Sequence, residues 1–542
     1  MLTNAFIITT YDIEVVAETS DARGKFDWAS ISPSKDLMYH DCFDGFKCAR
    51  LIAPLDYKDD TDLQAVAIAM IKLPAVVSDD DPAFAGSLFA NPGGPGGAGV
   101  GFMLRAGKSL RDVLDKSSRR HDEVVSFDPH SISNKLRGRG PLDGRGGANV
   151  PYIIAIKKAI SLRCQDVEAS GINGGQIMAY MYIGYSYGTV LGIYFAALFP
   201  GRVGRIALDG VVDVNDYSSG PGWMTNLVDT DEIANRFFSG CHEVGRKVCA
   251  LSRNGTESDS SVKSRFYSWL SKLDEESIST ISHVGDIIII RSQDIRETLG
   301  AALYRPRTSF IALATALDDA VAGDTAAIVK ILFQRHIPHL EDVCAINNTG
   351  PDSEAYLQEG TASVLCADGD SVSDYDIARW KRYINKQISA SSVFGAYWSN
   401  IRMTCNSWNF RPNWIFKGTF TTPPVLHSAS GNPISGYPAA PILFIPNRLD
   451  HVTPLSAVRT MAAQHPGAGL IITERLGHGG VGTSDSLCLH SYVADYFDLG
   501  VVPTGEATCI PDCCPWDIDC DTLGMEIVAW DNHGYGRGGL AF

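Results

Sequence analysis

The sequence predicts an α/β fold, in which a mostly parallel sheet carries helices on both faces and is interrupted by a mainly helical insertion. Residues 26 to about 215 alternate short apolar runs with Gly-rich turns and helix-like segments. That alternation is typical of parallel strands joined by crossover helices. Between about 220 and 400 strand-like runs are few and helical periodicity dominates. The chain of 542 residues is long enough for both parts.

The same change of pattern predicts the division of the chain. We expect residues 1–219 to form the N-terminal part of the core and residues 220–400 to form a helical cap. Residues 401–542 should complete the core and end in a Cys-rich tail, with strands resuming near Pro441. Within the cap, 310–321 and 326–334 have helical periodicity, and 286–291 is the main strand-like run.

The most informative segment is Gly184-Tyr185-Ser186-Tyr187-Gly188. An apolar run, 177–183, precedes it, and a helix-like run, 189–198, follows and ends before Pro200. Strand, Gly-x-Ser-x-Gly and helix in this order form a nucleophile elbow, which holds a serine hydroxyl above the N-terminus of a helix. The pentapeptide alone is weak evidence, because it should occur by chance in roughly one chain in five of this length.

A second segment, residues 91–99 (Asn-Pro-Gly-Gly-Pro-Gly-Gly-Ala-Gly), follows the strand-like run 87–90. Glycines at this density suit a loop whose backbone N–H groups approach a reacting atom. In hydrolases of this layout one oxyanion donor follows the nucleophile and the other lies in an early Gly-rich loop. We therefore predict Tyr187 and Gly94 as the donors. A phosphate-binding loop is disfavoured because no Gly-Lys-Ser/Thr follows, and a flexible surface turn is the remaining alternative.

Two later segments supply an acid and a base. The apolar run within 441–454 ends in a loop that carries Asp450, and the run within 470–480 ends in a glycine-flanked His478. Ser186, Asp450 and His478 thus occur in the chain order expected for an α/β-hydrolase. In such a triad the histidine takes the serine proton and the aspartate holds its tautomer.

Each of these assignments has an alternative. Asp450 could instead cap the helix that follows it, and His478 could be an ordinary turn residue. His465, which precedes a proline in a polar turn, and His490, which we expect to be packed in a helix, compete for the role of base. His478 is favoured because it alone follows a strand and is flanked by glycines. His451, next to the acid, is predicted to point elsewhere.

Through these motifs the chain resembles the tripeptidyl-aminopeptidase-like branch of the prolyl aminopeptidase family. The resemblance spans nearly the whole chain and rests on segments 91–97, 184–189, 199–205, 208–212 and 449–454, together with the opening at 26–57 and the ending at 477–509. It implies an α/β-hydrolase core with a helical cap. It also implies exopeptidase ancestry, meaning removal of short N-terminal peptides or single residues, or hydrolysis of related amides and esters. The same triad and oxyanion donors follow from it.

The chain departs from the family pattern at two places. The family usually continues Asp-Pro with Arg-Gly, whereas His130 follows Asp128-Pro129 here. Because that loop borders the active site, substrate preference is expected to differ. The helical stretch before the nucleophile strand also looks short, since 164–176 runs quickly through glycines.

Composition narrows the expected partners. The net charge is −16 without a basic stripe, which argues against a nucleic-acid partner. No run approaches the roughly 18 apolar residues of a membrane span. No metal or organic cofactor is implied, and the expected substrate is a small peptide or a small-molecule amide or ester.

Thirteen cysteines favour disulfides and an oxidising compartment. We predict the local pairs Cys42 with Cys48, Cys241 with Cys249, and Cys344 with Cys366, and a C-terminal cluster of Cys509, Cys513, Cys514 and Cys520. Zinc is the weaker alternative, because Cys-x-x-Cys knuckles are missing. Asn254 and Asn347 begin glycosylation sequons. The compartment stays open, because the cysteines favour secretion whereas the first ten residues do not resemble a signal peptide.

The sequence thus predicts a serine hydrolase that acts on peptides through an acyl-enzyme. An esterase, thioesterase or cyclising hydrolase of small-molecule biosynthesis is the first alternative, and a non-catalytic binding protein on the same fold is the second. If the cap closes over an N-terminal peptide, carboxylates between 229 and 243 should bind the substrate's α-ammonium group.

Overall fold

The sheet of this protein is mixed and mostly parallel, as the sequence predicts. The computed structural model describes residues 26–54, 65–115, 120–128, 180–253, 258–281, 287–336, 356–408, 411–412, 414–481 and 486–518. Several features predicted from the sequence lie outside these ranges: His130, the segment 164–176, Asn254, Asn347, Cys344 and Cys520.

Eleven of the described strands form one sheet in the order β1-β2-β3-β5-β4-β6-β7-β10-β12, with β11 and β13 also paired to β12. In chain order the strands are β1 (His40–Asp41), β2 (Lys47–Pro54), β3 (Ala65–Leu73), β4 (Phe84–Asn91), β5 (His121–Phe127), β6 (Tyr180–Tyr185), β7 (Val203–Asp209), β10 (Leu443–Ile445), β11 (Asn447–Leu449), β12 (Gly469–Leu476) and β13 (Glu506–Cys509). A separate hairpin-like pair consists of β8 (Ile278–Ile281) and β9 (Ile287–Ile290).

Strand direction divides the sheet in two. The pairs β1–β2, β2–β3 and β3–β5 are antiparallel, and every pair from β5 onwards is parallel. The carboxyl ends of β4, β6, β7, β11 and β12 therefore lie along one edge of the sheet. In open sheets of this kind ligands bind outside that edge. The Gly-rich loop, Ser186, Asp450 and His478 all directly follow one of these strand ends.

Helices cover both faces of the sheet. On one face α1 (Gly99–Leu114) packs with the later helix Leu487–Leu499 against residues such as Ile183 and Ala207. On the other face α2 (Tyr187–Leu198) packs with the helix Leu455–Ala462 against Tyr182 and Leu208. Neighbouring strand residues thus face opposite layers, as the pleat requires. The predicted α/β-hydrolase architecture is confirmed.

Between β7 and β10 the described residues are mainly helical. The helices there are α3 (Val214–Ser218), α4 (Thr230–Val244), α5 (Asp259–Glu275), α6 (Ser292–Ala302), α7 (Pro306–Val321), α8 (Ala326–His336), α9 (Tyr356–Asp368), α10 (Ile377–Ala390) and α11 (Gly395–Met403), and after β11 and β12 come α12 (Leu455–Ala462) and α13 (Leu487–Leu499). Helices α4 to α8 share a hydrophobic cluster of their own. Helices α9 to α11 instead bury Leu365, Trp380 and Trp398 in the cluster that lies under α2. The domain boundaries at 219 and 400 stay a prediction.

Four disulfides join described cysteines, and they correct part of the predicted pairing. Cys42–Cys48 and Cys241–Cys249 form as expected. Cys366 pairs with Cys405, 39 residues away, and not with Cys344. Cys488 pairs with Cys509, so Cys509 is not part of a purely C-terminal cluster. Sequence spacing favours near neighbours, whereas these two bridges join residues that only tertiary packing brings together.

Candidate active site

Ser186 lies at a sharp turn between β6 and α2. Its φ of 54° and ψ of −122° are strained for a residue with a side chain. The Ser186 carbonyl accepts hydrogen bonds from Thr189 N at 2.8 Å and Thr189 Oγ1 at 2.6 Å, and its N–H donates to the carbonyl of Asp209 at 2.9 Å. Helix α2 begins at Tyr187, so the N–H of Tyr187 belongs to the first helical turn. The turn has the geometry of a nucleophile elbow.

The Gly-rich loop lies directly against this turn at Gly93. Gly93 has φ +89°, and a Cβ there would stand 2.2 Å from the carbonyl oxygen of Tyr185, 3.0 Å from Ser186 Cβ and 3.0 Å from Tyr187 N. Only glycine permits this approach. The structure therefore brings the loop next to the N of Tyr187.

Gly94, the predicted second donor, has φ +117°. A side chain there would collide with the backbone of Gly96 and Gly97, within the loop itself. The assignment of Gly94 as a donor stays a prediction. The close approach of Gly93 was not predicted, and the run of glycines was its only signal.

Asp450 and His478 form a hydrogen-bonded pair. His478 Nδ1 lies 2.8 Å from Asp450 Oδ2. The other carboxylate oxygen accepts the backbone N–H groups of Val452 at 3.0 Å and Thr453 at 2.9 Å, and Thr453 Oγ1 donates to Oδ2 at 2.7 Å. Because the carboxylate accepts from Nδ1–H, the neutral imidazole presents Nε2 as an acceptor.

Burial alone would raise the pKa of the fully buried Asp450. The neighbouring His478 and the hydrogen bonds outweigh that effect and hold the pKa below its usual value. Asp450 does not cap the following helix, because the N-cap of α12 is Pro454. The alternative reading of Asp450 as a helix cap is therefore wrong.

Asp209, at the end of β7, fixes the loop that carries His478. Its carboxylate accepts the N–H of Gly480 at 2.8 and 2.9 Å and that of Val481 at 2.7 Å. Burial raises its pKa to about 6, although these backbone N–H groups oppose the rise. From the other side Asn447 Nδ2 donates to the carbonyl of Gly477 at 2.7 Å.

The residue after Asp209 also touches the histidine. A Cβ on Gly210 would stand 2.9 Å from His478 Cε1, so the imidazole packs directly on that backbone. Asp209 and Gly210 were noted in the sequence as a motif without a role. The signal that could have identified them was an acid followed by glycine at the end of the strand after the nucleophile helix.

The competing histidines lie away from this arrangement. His465 is buried beneath β10, with Nδ1 3.1 Å from Thr422 Oγ1, and burial lowers its pKa to about 4. His490 is buried in α13, as predicted. His451 was predicted to point elsewhere, and that prediction is wrong: its Nδ1 lies 4.0 Å from Asp450 Oδ1, and its ring centroid lies 6.3 Å from that of His478. Its ring is also edge-on to Tyr304, and burial lowers its pKa to about 3.

Of the four carboxylates between 229 and 243, Asp229 lies nearest the acid–base pair. Its Oδ2 is 3.4 Å from the backbone N of Asp450. Burial, together with the charge of Asp450, raises its pKa to about 6. Asp231, in α4, accepts from Ser391 Oγ at 2.6 Å. Glu232 pairs with Arg236 on the exposed face of α4, and Glu243 is also exposed.

The described part of the chain contains no group of three or more His, Cys, Asp or Glu side chains arranged to hold a metal ion. Among the described helices, none is both long and apolar enough to cross a membrane. Of the loop that departs from the family pattern, the structure describes Asp128, whose Oδ1 accepts the N–H of Val100 in α1 at 2.9 Å.

A strained serine between strand and helix, an Asp–His pair at the same sheet edge and a mostly parallel sheet together define a serine hydrolase of the α/β-hydrolase class. Comparison with known proteins is consistent with this class. Residues 391–509 match the family described as TAP-like protein, which confirms the resemblance to tripeptidyl-aminopeptidase-like hydrolases.

Two relatives are similar over most of their length. The chain is 26% identical to serine protease Hip1 of Mycobacterium tuberculosis, with 86% of this chain and 87% of that protein covered. It is 22% identical to tripeptidyl aminopeptidase of Streptomyces coelicolor, with coverage of 92% and 88%. The solved structure of proline iminopeptidase from Mycobacterium smegmatis aligns with 84% of this chain and 98% of its own, at 11% identity and a TM-score of 0.31.

Proposed function

We propose that this protein is an exopeptidase-type serine hydrolase that cleaves peptide or related amide bonds near the N-terminus of its substrate, with Ser186, Asp450 and His478 as its catalytic triad. The observation that carries the proposal is the 2.8 Å hydrogen bond between His478 Nδ1 and Asp450 Oδ2. The loop that carries His478 is held by the carboxylate of Asp209, which accepts the N–H of Gly480. The backbone carbonyl of Asp209 accepts the N–H of Ser186.

In the acylation step Ser186 Oγ attacks the scissile carbonyl and transfers its proton to His478 Nε2. Asp450 stabilises the resulting imidazolium. Negative charge on the carbonyl oxygen is stabilised by backbone N–H groups, for which Tyr187 and Gly94 are proposed. The C–N bond then breaks, and His478 returns the proton to the leaving amine. Water, activated by His478, hydrolyses the acyl-enzyme and regenerates Ser186.

Asp229 is the proposed site for the substrate's α-ammonium group. It is the carboxylate of the 229–243 segment that reaches the backbone of Asp450, whereas Asp231 and Glu232 already bind protein groups. A partly buried carboxylate gains by pairing with a cation, since its charge is otherwise poorly solvated. The names of the two relatives, serine protease and tripeptidyl aminopeptidase, support peptide substrates.

A two-stage experiment tests the proposal. First, a fluorophosphonate probe should label the purified protein and leave Ser186→Ala unlabelled. Secondly, one tripeptidyl anilide with a free amino terminus is compared with its N-acetylated counterpart and with an aryl ester. We expect the free peptide to have the highest kcat/KM.

Each alternative has its own outcome in this test. Equal hydrolysis of the free and acetylated peptides would overturn the exopeptidase assignment. Turnover of the ester alone would favour the esterase alternative. A wild-type protein that is neither labelled nor active would favour a binding protein.

A further inference from the structure

Helix α9 contacts both backbone segments that the proposed oxyanion site uses. Thr361 Oγ1 donates to the carbonyl of Pro95 in the Gly-rich loop at 2.7 Å. At the C-terminal end of the same helix, Asp368 Oδ2 accepts a hydrogen bond from the phenol O–H of Tyr187 at 2.8 Å. Thr361 and Asp368 are seven residues apart and so lie on the same face of the helix, about 10 Å apart along its axis.

We propose that Thr361 and Asp368 are positioning residues, through which helix α9 fixes the spacing between the Gly-rich loop and Tyr187. The inference rests on the proposed function, because it assumes that these two segments supply the oxyanion donors. It adds a role for a helix of the insertion that touches neither Ser186 nor His478 in the described contacts.

On the loop side, the hydrogen bond reaches the residue between two glycines. Pro95 is flanked by Gly94 and Gly96, which have φ of +117° and +110°. Glycines leave the loop free to adopt other conformations, so an external bond is needed to select one. Thr361 is fully buried and provides that bond. Within the loop, Gly97 N donates to the Gly93 carbonyl at 3.0 Å.

On the nucleophile side, Asp368 binds two phenols at once. Tyr217 Oη also donates to Asp368 Oδ2 at 2.8 Å. Burial, followed by the charge of Asp368, holds the pKa of both phenols well above the usual value, so both keep the proton that they donate. Because Tyr187 directly follows Ser186, its side chain anchors the residue whose N–H is the proposed donor.

The helix itself is held firmly at its C-terminal end. Three basic side chains donate hydrogen bonds to backbone carbonyls at this end. Arg402 donates to the carbonyl of Leu365 at 3.4 Å, Lys417 to that of Asp368 at 2.9 Å and Arg411 to that of Gly369 at 2.7 Å. Lys417 and Arg411 thus supply partners for carbonyls at and just beyond the last helical residue, and all three cations oppose the negative end of the helix dipole.

The disulfide Cys366–Cys405 adds a covalent tie within the same turn. A helix fixed in this way cannot shift without breaking the bonds of Thr361 or Asp368. The position of α9 therefore determines the positions of both segments of the proposed oxyanion site.

The test compares Thr361→Val and Tyr187→Phe with the matched control Tyr217→Phe. Thr361→Val removes the hydrogen bond from α9 to the Gly-rich loop, and Tyr187→Phe removes the one from Tyr187 to α9. The control Tyr217→Phe removes the other phenol that donates to Asp368. Measurements are kcat and KM for a hydrolysed substrate, and Ki for a peptidyl trifluoromethyl ketone, which forms an oxyanion on Ser186. Urea unfolding reports on stability.

We expect kcat to fall about tenfold in both test variants, because that is the effect of one hydrogen bond of ordinary strength. The Ki of the ketone should rise by a similar factor, KM should change less than about twofold, and Tyr217→Phe should keep its kcat within about twofold. Unchanged kcat and Ki in both test variants would overturn the inference. The inference would also be overturned if the test variants lost no more kcat than Tyr217→Phe does, and if the loss in all three variants followed their loss of stability to urea.

A second pair of variants tests the covalent tie. Cys366→Ser/Cys405→Ser should lower kcat and weaken the ketone, whereas Cys241→Ser/Cys249→Ser, which removes a disulfide between α4 and the loop after it, should not. Equal effects in both pairs would count against the role of α9. Failure of the proposed function is separable, because it would appear as absence of labelling and turnover in the wild-type protein.

Discussion

The backbone carbonyl of Asp209 accepts the N–H of Ser186 at 2.9 Å. The carboxylate of the same residue accepts the N–H of Gly480, two residues beyond His478. One residue at the end of β7 thus fixes both the turn of the proposed nucleophile and the loop of the proposed base. Their relative position depends on a single strand end of the sheet.

The first prediction concerns this link. Asp209→Asn should lower kcat about tenfold or more. The amide has one acceptor oxygen where the carboxylate has two, so the His478 loop loses a hydrogen bond. Asp122→Asn is the matched control. Asp122 is also buried with a pKa raised to about 7, but it lies at the opposite end of β5, away from the site edge. Similar losses in steady-state kcat for both variants would contradict the assigned role.

Ser186→Ala should abolish turnover while the fold is kept. The loss should be on the order of 10⁶ in kcat, as in other serine hydrolases that lose the nucleophile. Circular dichroism and urea unfolding check that the variant is folded. Near-normal kcat in the purified variant would show that another residue is the nucleophile.

The histidines give a sharper test of the triad. His478→Ala should be nearly inactive, whereas His465→Ala and His490→Ala should keep their activity if they are assayed below their unfolding temperature. An active His478→Ala enzyme would rule out this triad.

Asp450→Asn should cost roughly 10⁴ in kcat, as in other triads, because the amide would donate where the carboxylate must accept. The backbone N–H groups of Val452 and Thr453 hold the side chain in place, so the ring position should survive. Pre-steady-state acylation with an activated ester measures the effect directly. A loss of less than about tenfold would mean that a different acid supports His478.

The raised pKa of Asp229 predicts that substrate binding depends on pH. Its pKa is raised to about 6, so the carboxylate is charged above that pH and becomes neutral as the pH falls through it. KM for a peptide with a free amino terminus should therefore rise below about pH 6. KM for the N-acetylated peptide should not, and Asp229→Asn should remove the difference. Parallel pH profiles for both substrates in the wild-type enzyme would contradict the assignment.

The sequence was sufficient for the fold class because each strand near the site ends in a recognisable motif. Strand β6 leads into Gly-x-Ser-x-Gly, and β12 leads into a glycine-flanked histidine, so local pattern predicts both element and position. Thr361 and Asp368 could not be found in this way. Their contacts join residues 266 and 181 positions apart, and helix packing alone brings those together. The bridge Cys366–Cys405 was mispredicted for the same reason.

Trp516 lies beyond the last strand, yet its ring packs 5.6 Å from Phe237 of α4 and 5.5 Å from Phe310 of α7. The hydrophobic cluster of α4 to α8 therefore includes a residue synthesised some 180 positions after α8. On the ribosome, the insertion cannot complete its interior until nearly the whole described chain has emerged. Until then Phe237 and Phe310 lack this packing partner, and incompletely buried hydrophobic surface of this kind makes a chain prone to aggregation during synthesis.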